Sequence, residues 1–312
     1  MRGDRRQTRD ARYTLGAAMV LLAGVAFSTG GVIVRQVDIA DGWQILFYRS
    51  LTVILSVFVI VAVRYRGAVV APFRAIGRGG LVYALGLGIG FACFVQAITL
   101  TAVANVAVIG STTPLFAVLA GRLLLGERVV PAMWIAIAVS LAGIGVMLGD
   151  AFESGGLLGN VVALGVPMST VVVVTVVRRA PSVDLLPATI LAGVVGVAIG
   201  AVAAGSLDVP APDIGFSALM GFVQIAIGLT LITFGARFVP AADVGLFALT
   251  ETVLAPLWVW AFVDEVPTTL TLVGGGIVLA AVLGVAIWRR REERLLAGRE
   301  PALAEPGGSG GG

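Results

Sequence analysis

The chain has 312 residues, of which 58% are hydrophobic and only 12% charged, with a mean hydropathy of +1.03. A soluble globule of that length has too little interior to hide so much apolar surface, so a water-soluble protein is excluded. There is no His, all 21 basic residues are Arg, and Cys93 is the single cysteine, which excludes His-based triads, His-ligated zinc or haem, lysine Schiff bases, the phosphate-binding lysine of an ATP-driven machine and any internal disulfide.

Each bilayer crossing takes about 20 mainly apolar residues. Apolar runs bounded by charges, Pro or Gly predict helices over 13–34, 43–63, 79–100, 103–125, 130–148, 157–177, 184–205, 214–236, 241–263 and 267–288. The first run is long, has no small-residue cleavage pattern after it and is followed by more of its kind, so it reads as a retained helix. Residues 1–12 form a tail before it, 149–156 a linker between halves, and 289–312 a second tail whose Gly-rich end predicts disorder. Cys93 sits inside the third run and reads as a small buried hydrophobe.

The third and fourth runs are nearly fused through TLTAVAN, and the ninth and tenth through DEVP, so the number ten needs an independent test. Arginine placement supplies it. With the N-terminus inside, only Arg35 falls in an outside loop and only Arg49 within a span, leaving 19 of 21 arginines in cytoplasmic segments. Merging two helices would invert every later loop and destroy that asymmetry, so the positive-inside rule supports ten crossings with both termini cytoplasmic. The pI near 9.6 then reports topology and not nucleic-acid binding.

Two echoes divide the chain in half. Leu15-Gly16 precedes Arg35 by the same distance as Leu158-Gly159 precedes Arg178, and TPLFAVLAGRLLLGE (Thr113 to Glu127) pairs with ETVLAPLWVWAFVDE (Glu251 to Glu265). These place the first helix opposite the sixth and the fourth opposite the ninth. Five is odd, so the halves enter the membrane from opposite sides. The expected fold is an all-α polytopic membrane protein of two inverted five-helix repeats, 13–148 and 157–288, N-in and C-in.

TTPLFAVLAGRLLLGERV, followed by a Gly-rich fifth span ending SLAGIGVML, resembles the repeat signature of EamA-type carriers of the drug/metabolite transporter superfamily. LTETVLAPLWVWAFVDEVPT with GGGIVLAAVLGVAI resembles its C-terminal form, and FYRS at Phe47 to Ser50 matches an arginine common in the second helix. The resemblance covers about residues 13 to 288. It implies a transporter in the cytoplasmic (inner) membrane of a bacterium, exporting small amphipathic metabolites such as amino acids or related compounds. It implies no cofactor and no metal.

A carrier needs a polar site near the midplane. Charges inside hydrocarbon cost roughly 2.5–3.5 kcal/mol each on insertion scales, so those that occur suggest function. Of 18 acidic residues only Glu251 falls mid-span, about 15 Å deep at ~1.5 Å per residue. It reads as a proton-coupling site, as a partner for a substrate ammonium, or as a structural carboxyl bonded to a neighbouring helix. Arg49, at similar depth, reads as a partner of Glu251, a receiver of a substrate carboxylate, or an anchor. Phe247, Glu251, Leu254 and Trp258 follow helical spacing and predict an aromatic face beside the carboxyl, which packing alone would also produce.

Further polar candidates are Gln96 on the third helix, Asn105, Ser111, Thr112 and Thr113 on the fourth, and Gln224 and Thr230 on the eighth, each of which a neighbouring helix could equally satisfy. Pro114, Pro167 and Pro256 interrupt helical hydrogen bonding and predict hinges. The expected partners are a small-molecule solute, the lipid bilayer and protons, with the chain a monomer or homodimer. The competing readings are efflux of lipophilic cations, in which Glu251 and Trp258 supply charge and cation–π contact, and a non-transporting scaffold. An intramembrane enzyme is disfavoured, because no paired Asp and no nucleophile–base couple lies within the spans.

Overall fold

The computed structural model describes residues 2–67, 70–126, 131–154, 156–180, 183–239 and 241–303. Among them the chain forms α1 (Arg2–Val34), α2 (Gly42–Arg64), α3 (Val70–Ala75), α4 (Gly77–Leu100), α5 (Val103–Ser111), α6 (Thr113–Leu125), α7 (Pro131–Ser154), α8 (Leu157–Ala163), α9 (Gly165–Arg179), α10 (Leu186–Ala203), α11 (Ala211–Met220), α12 (Gly228–Gly235), α13 (Ala241–Val263) and α14 (Thr269–Leu303). A π-helical segment, Gly221–Ile227, joins α11 to α12. Six stretches are long and apolar enough to cross a membrane: Arg12–Val34, Gly42–Arg64, Gly77–Leu100, Leu157–Arg179, Leu186–Ala203 and Ala211–Gly235. Met133–Val146, Leu249–Val263 and Thr269–Val285 are shorter apolar helices.

The ends differ from expectation. The helix α1 begins at Arg2 and α14 runs on to Leu303, so both flanking segments continue their helices. Arg, Glu, Leu and Ala dominate the start of the second tail and favour helix, and nothing breaks the ladder before Pro301. Residues 304–312, where disorder is expected, lie outside the described residues. The short α3 occupies the segment expected only to link the second and third spans.

The predicted span 103–125 is two helices broken at Thr112. Pro114 has no N–H to offer the carbonyl of Gly110, and the Thr113 hydroxyl donates to that carbonyl instead, at 2.6 Å. Ser111 and Thr112 make the same three-residue back-bond to Val108 and Ile109. The sixth span breaks at Leu164 for the same reason, since Pro167 cannot serve the carbonyl of Ala163.

Helix packing repeats when the halves are exchanged. The α2 helix packs on α10, and α7 on α14; the α1–α13 contact is matched by α9–α6, α4–α10 by α11–α2, and α4–α9 by α12–α1. Among the described residues the most extensive contacts therefore each have a counterpart or are their own. Large apolar side chains such as Leu55, Val63, Ile135, Val202 and Phe262 point outward, while Leu46, Val53, Val95 and Met220 fill the interior. In lipid, outward leucine is no penalty, and close packing plus interhelical hydrogen bonds hold the helices together.

Candidate functional site

Glu251 lies midway along the 23 residues of α13, half-buried, with no hydrogen-bond or ion partner among the described residues. It faces a cavity of about 430 Å3 walled by Phe27 of α1 and by Tyr83, Leu87, Phe91 and Phe94 of α4. Hydroxyls of Ser111, Thr113, Thr170 and Thr252 add polar groups to its lining, and no arginine lines it among the described residues. An apolar chamber with a few convergent polar groups is the usual form of a small-molecule site. The helix break at Thr112 positions two of these groups, because it ends α5 and restarts α6 against the chamber.

The cavity runs toward one end of the bundle. Its wall includes Tyr83 in the first half of α4, Val173 in the second half of α9 and Ile232 in the last turn of α12. Arginines cluster at that end: Arg64 and Arg237 both stack on Phe234, at 5.8 and 5.3 Å from the ring centroid, and Arg64 pairs with Asp184 at 3.2 Å. Tyr65 donates to the same carboxylate at 2.7 Å, and this hydrogen bond holds the Tyr65 phenol above its usual range.

The opposite end is sealed. Arg35, just past α1, pairs with Glu265 at 2.8 Å and donates to the carbonyls of Ile98 and Thr101 at 2.6 and 3.1 Å. The other Glu265 oxygen accepts the Val103 N–H at 2.8 Å, so one ion pair ties the ends of α1, α4, α5 and α13. Beside it runs a polar chain: Thr268 donates to Thr271, Thr271 to Asn105, Asn105 to Thr101, and Thr101 to Asn160. Asp213 closes the same end by accepting the N–H groups of Asp38, Ile39 and Ala40.

A second polar centre lies behind the aromatic wall. Arg49 of α2 is 1% exposed and donates through Nη2 to Gln224 at 3.0 Å, and the Gln224 amide donates to the Phe27 carbonyl at 3.1 Å. Two glycines make room for this. A Cβ on Gly221 would collide with the Arg49 carbonyl, and one on Gly30 with the Gln224 amide. The π-helical segment carries Gln224, and such one-turn insertions re-aim a side chain at the cost of a poorer ladder.

The expected candidates therefore separate. Glu251, Ser111 and Thr113 share the cavity. Arg49 does not pair with Glu251, contrary to one expectation, because Gln224 takes its Nη2 and the Phe91 and Phe94 rings stand against its guanidinium. Trp258 is turned away, donating to Ser28 at 2.9 Å and lying against Phe262, so it does not flank the carboxyl in the cavity. Asn105 belongs to the sealed end, Gln96 packs against Gly42, and Thr112 and Thr230 bond carbonyls on their own helices. Phe247 is on α13, with its side chain outside the described residues. Sequence reasoning missed Tyr83, Leu87, Phe91 and Phe94, whose spacing is one helical stripe on α4 and was readable as such. Among the described residues no group of His, Cys, Asp and Glu is placed to hold a metal.

The sequence model of the EamA-like transporter family matches the chain twice, at residues 14–149 and 154–287. The chain belongs to the EamA-like transporter family. It is also 27% identical, over 302 residues, to an uncharacterized transporter of Archaeoglobus fulgidus, across 90% of this chain and 98% of the relative. A solved crystal structure superposes with a TM-score of 0.60 at 17% identity, covering 89% of this chain and 98% of that one, which speaks to the fold. This EamA-like protein is thus a multi-pass membrane transporter.

Proposed function

We propose that this EamA-like protein is a secondary carrier, active or facilitative, that exports small amphipathic metabolites, amino acids or related compounds, by alternating access across the cytoplasmic membrane of a bacterium. The observation that carries the reading is the unpartnered Glu251 carboxyl at mid-span, facing a cavity whose other walls are aromatic and hydroxylic. That surface suits a solute with an apolar body and one ammonium group. With the arginine-rich end cytoplasmic, as the positive-inside rule directs, the cavity faces the cytoplasm and the Arg35–Glu265 end closes the outside.

In this reading the two five-helix repeats are inverted, and the halves rock against each other about the cavity. Glu251 holds the solute ammonium and serves as the proton-coupling group. Membership of a transporter family speaks against a scaffold or an intramembrane enzyme. The chain works as a monomer or homodimer.

A second reading, efflux of lipophilic cations, has one observation in its favour: among the described residues no basic side chain lines the cavity beside Glu251. Liposomes containing the purified protein and loaded with labelled amino acids, amines, nucleosides and quaternary cations separate the two. Efflux of amino acids against an empty-liposome control supports the first, efflux restricted to cations supports the second, and no solute movement at all rejects both.

A further inference from the structure

Arg35 and Arg49 are solved differently by the same fold. Each of the three nitrogens of the Arg35 guanidinium has an oxygen acceptor: Glu265, Ile98 and Thr101. Among the described residues Arg49 is the largest fully buried side chain, and only its Nη2 has an acceptor there; Nε and Nη1 have none. Those two nitrogens carry three of the five N–H donors of a guanidinium. A helix anchor is expected to be satisfied like Arg35, because unanswered donors on a buried cation are costly.

What faces Arg49 is aromatic. Its guanidinium carbon stands 4.9 Å from the Phe91 ring centroid and 5.7 Å from that of Phe94. Ring faces hold a cation without an anion, though less strongly than a carboxylate does. The same two rings line the cavity that contains Glu251. They therefore form a partition, with an under-satisfied cation on one side and an unpartnered acid on the other.

We infer that Arg49 is the receptor for a carboxylate on the transported solute, reached when the Phe91 and Phe94 rings turn aside, while Glu251 takes the solute's ammonium group. The inference rests on the carrier reading and deepens it, assigning the site a ligand with both charges: an α-amino acid or another zwitterion with an apolar body. In the partitioned state the described cavity lining offers a carboxylate hydroxyls but no cation. A solute lacking that group gains nothing from opening the partition, so selectivity and ring movement are one event. Gln224 keeps Nη2 oriented during the exchange and leaves Nε and Nη1 for the ligand.

The test uses the full chain in lipid nanodiscs with labelled phenylalanine and phenethylamine, which differ by the carboxylate. Wild type is expected to bind phenylalanine at least about tenfold more tightly, the scale of one charge-assisted hydrogen bond. R49Q should weaken phenylalanine about tenfold and leave phenethylamine within about twofold. Phe94→Leu, which thins the partition, should raise the preference for phenylalanine, and it keeps the question open to test if R49Q does not fold. Equal binding of the two probes by wild type, tighter phenethylamine binding, or an equal loss of both in R49Q overturns the inference. Transport of amino acids in liposomes alongside any of those results leaves the carrier reading standing; absence of all transport removes that reading separately.

Discussion

Arg35, one residue past α1, and Glu265, two residues past α13, meet at 2.8 Å and close one end of the bundle. Their side chains are 25% and 22% exposed, so the charge attraction itself is modest, about 1 kcal/mol. The geometry adds more than the charge, since carbonyls of α4 and an N–H of α5 join the same cluster. Opening that end requires all of these bonds to part together.

If the Arg35–Glu265 end faces outside, as proposed above, Glu265→Gln is expected to shift the conformational balance toward the outward-open form by about fivefold, as a loss of about 1 kcal/mol implies. Cys93 is the sole cysteine, so a C93S background carrying Thr113→Cys reports cavity access from outside by a membrane-impermeant maleimide. An unchanged labelling rate would show that the pair does not act as the outer closure.

Glu251→Gln is expected to lower transport at least about tenfold and to flatten its pH dependence, because a mid-membrane acid is retained at a cost only where it is used. Glu251→Asp should retain partial activity. Transport assays in liposomes across a pH series measure both, and an active, pH-dependent Glu251→Gln protein rejects the coupling role.

Gln224→Leu leaves the Arg49 guanidinium with no hydrogen-bond partner among the described residues and is expected to destabilise by about 2–4 kcal/mol. The double replacement Arg49→Leu with Gln224→Leu should cost less than the two single losses added. A double-mutant cycle in a thermal or denaturant titration reads the coupling directly. Strict additivity would mean the contact has no energetic weight.

Thr113→Val removes the hydroxyl that serves the Gly110 carbonyl and should cost about 1 kcal/mol. Adding Pro114→Ala restores a backbone donor and should recover most of that loss. Circular dichroism melts in detergent check both. If the double variant is no more stable than Thr113→Val, proline is not the cause of the break.

Trp258→Phe carries the opposite expectation for function. It loses one hydrogen bond to Ser28 and about 1 kcal/mol, yet transport should stay within about twofold, because the indole lies outside the cavity. A tenfold fall in transport with normal stability would return Trp258 to the binding site.

Hydropathy reveals where helices lie because each bilayer crossing demands a long apolar run, and α2, α4 and α10 match their predicted bounds within about three residues. It does not reveal the breaks at Thr112 and Leu164, which arise from single prolines inside runs that stay apolar throughout. Glu251 and Arg49 stood out because isolated charge in hydrocarbon is expensive. Their separation did not, since equal depth on two helices says nothing of which faces meet, and Gln224 reaches Arg49 through a π-helical turn invisible to a 3.6-residue period. The aromatic wall of α4 was legible as spacing, yet packing leaves the same pattern as a binding surface.

The matching of helix contacts under exchange of the halves bears on energy as well as shape. Were the two copies identical in sequence, a carrier facing in and its mirror facing out would be degenerate, and neither would be preferred at rest. The preference must then arise where the copies disagree. Thr113 and Glu251 hold corresponding positions and both face the cavity, so one copy offers a hydroxyl where the other offers an acid. Exchanging those two residues would move the charge from one copy to the other while leaving the scaffold intact, and in the proposed carrier the direction in which it idles would follow the acid.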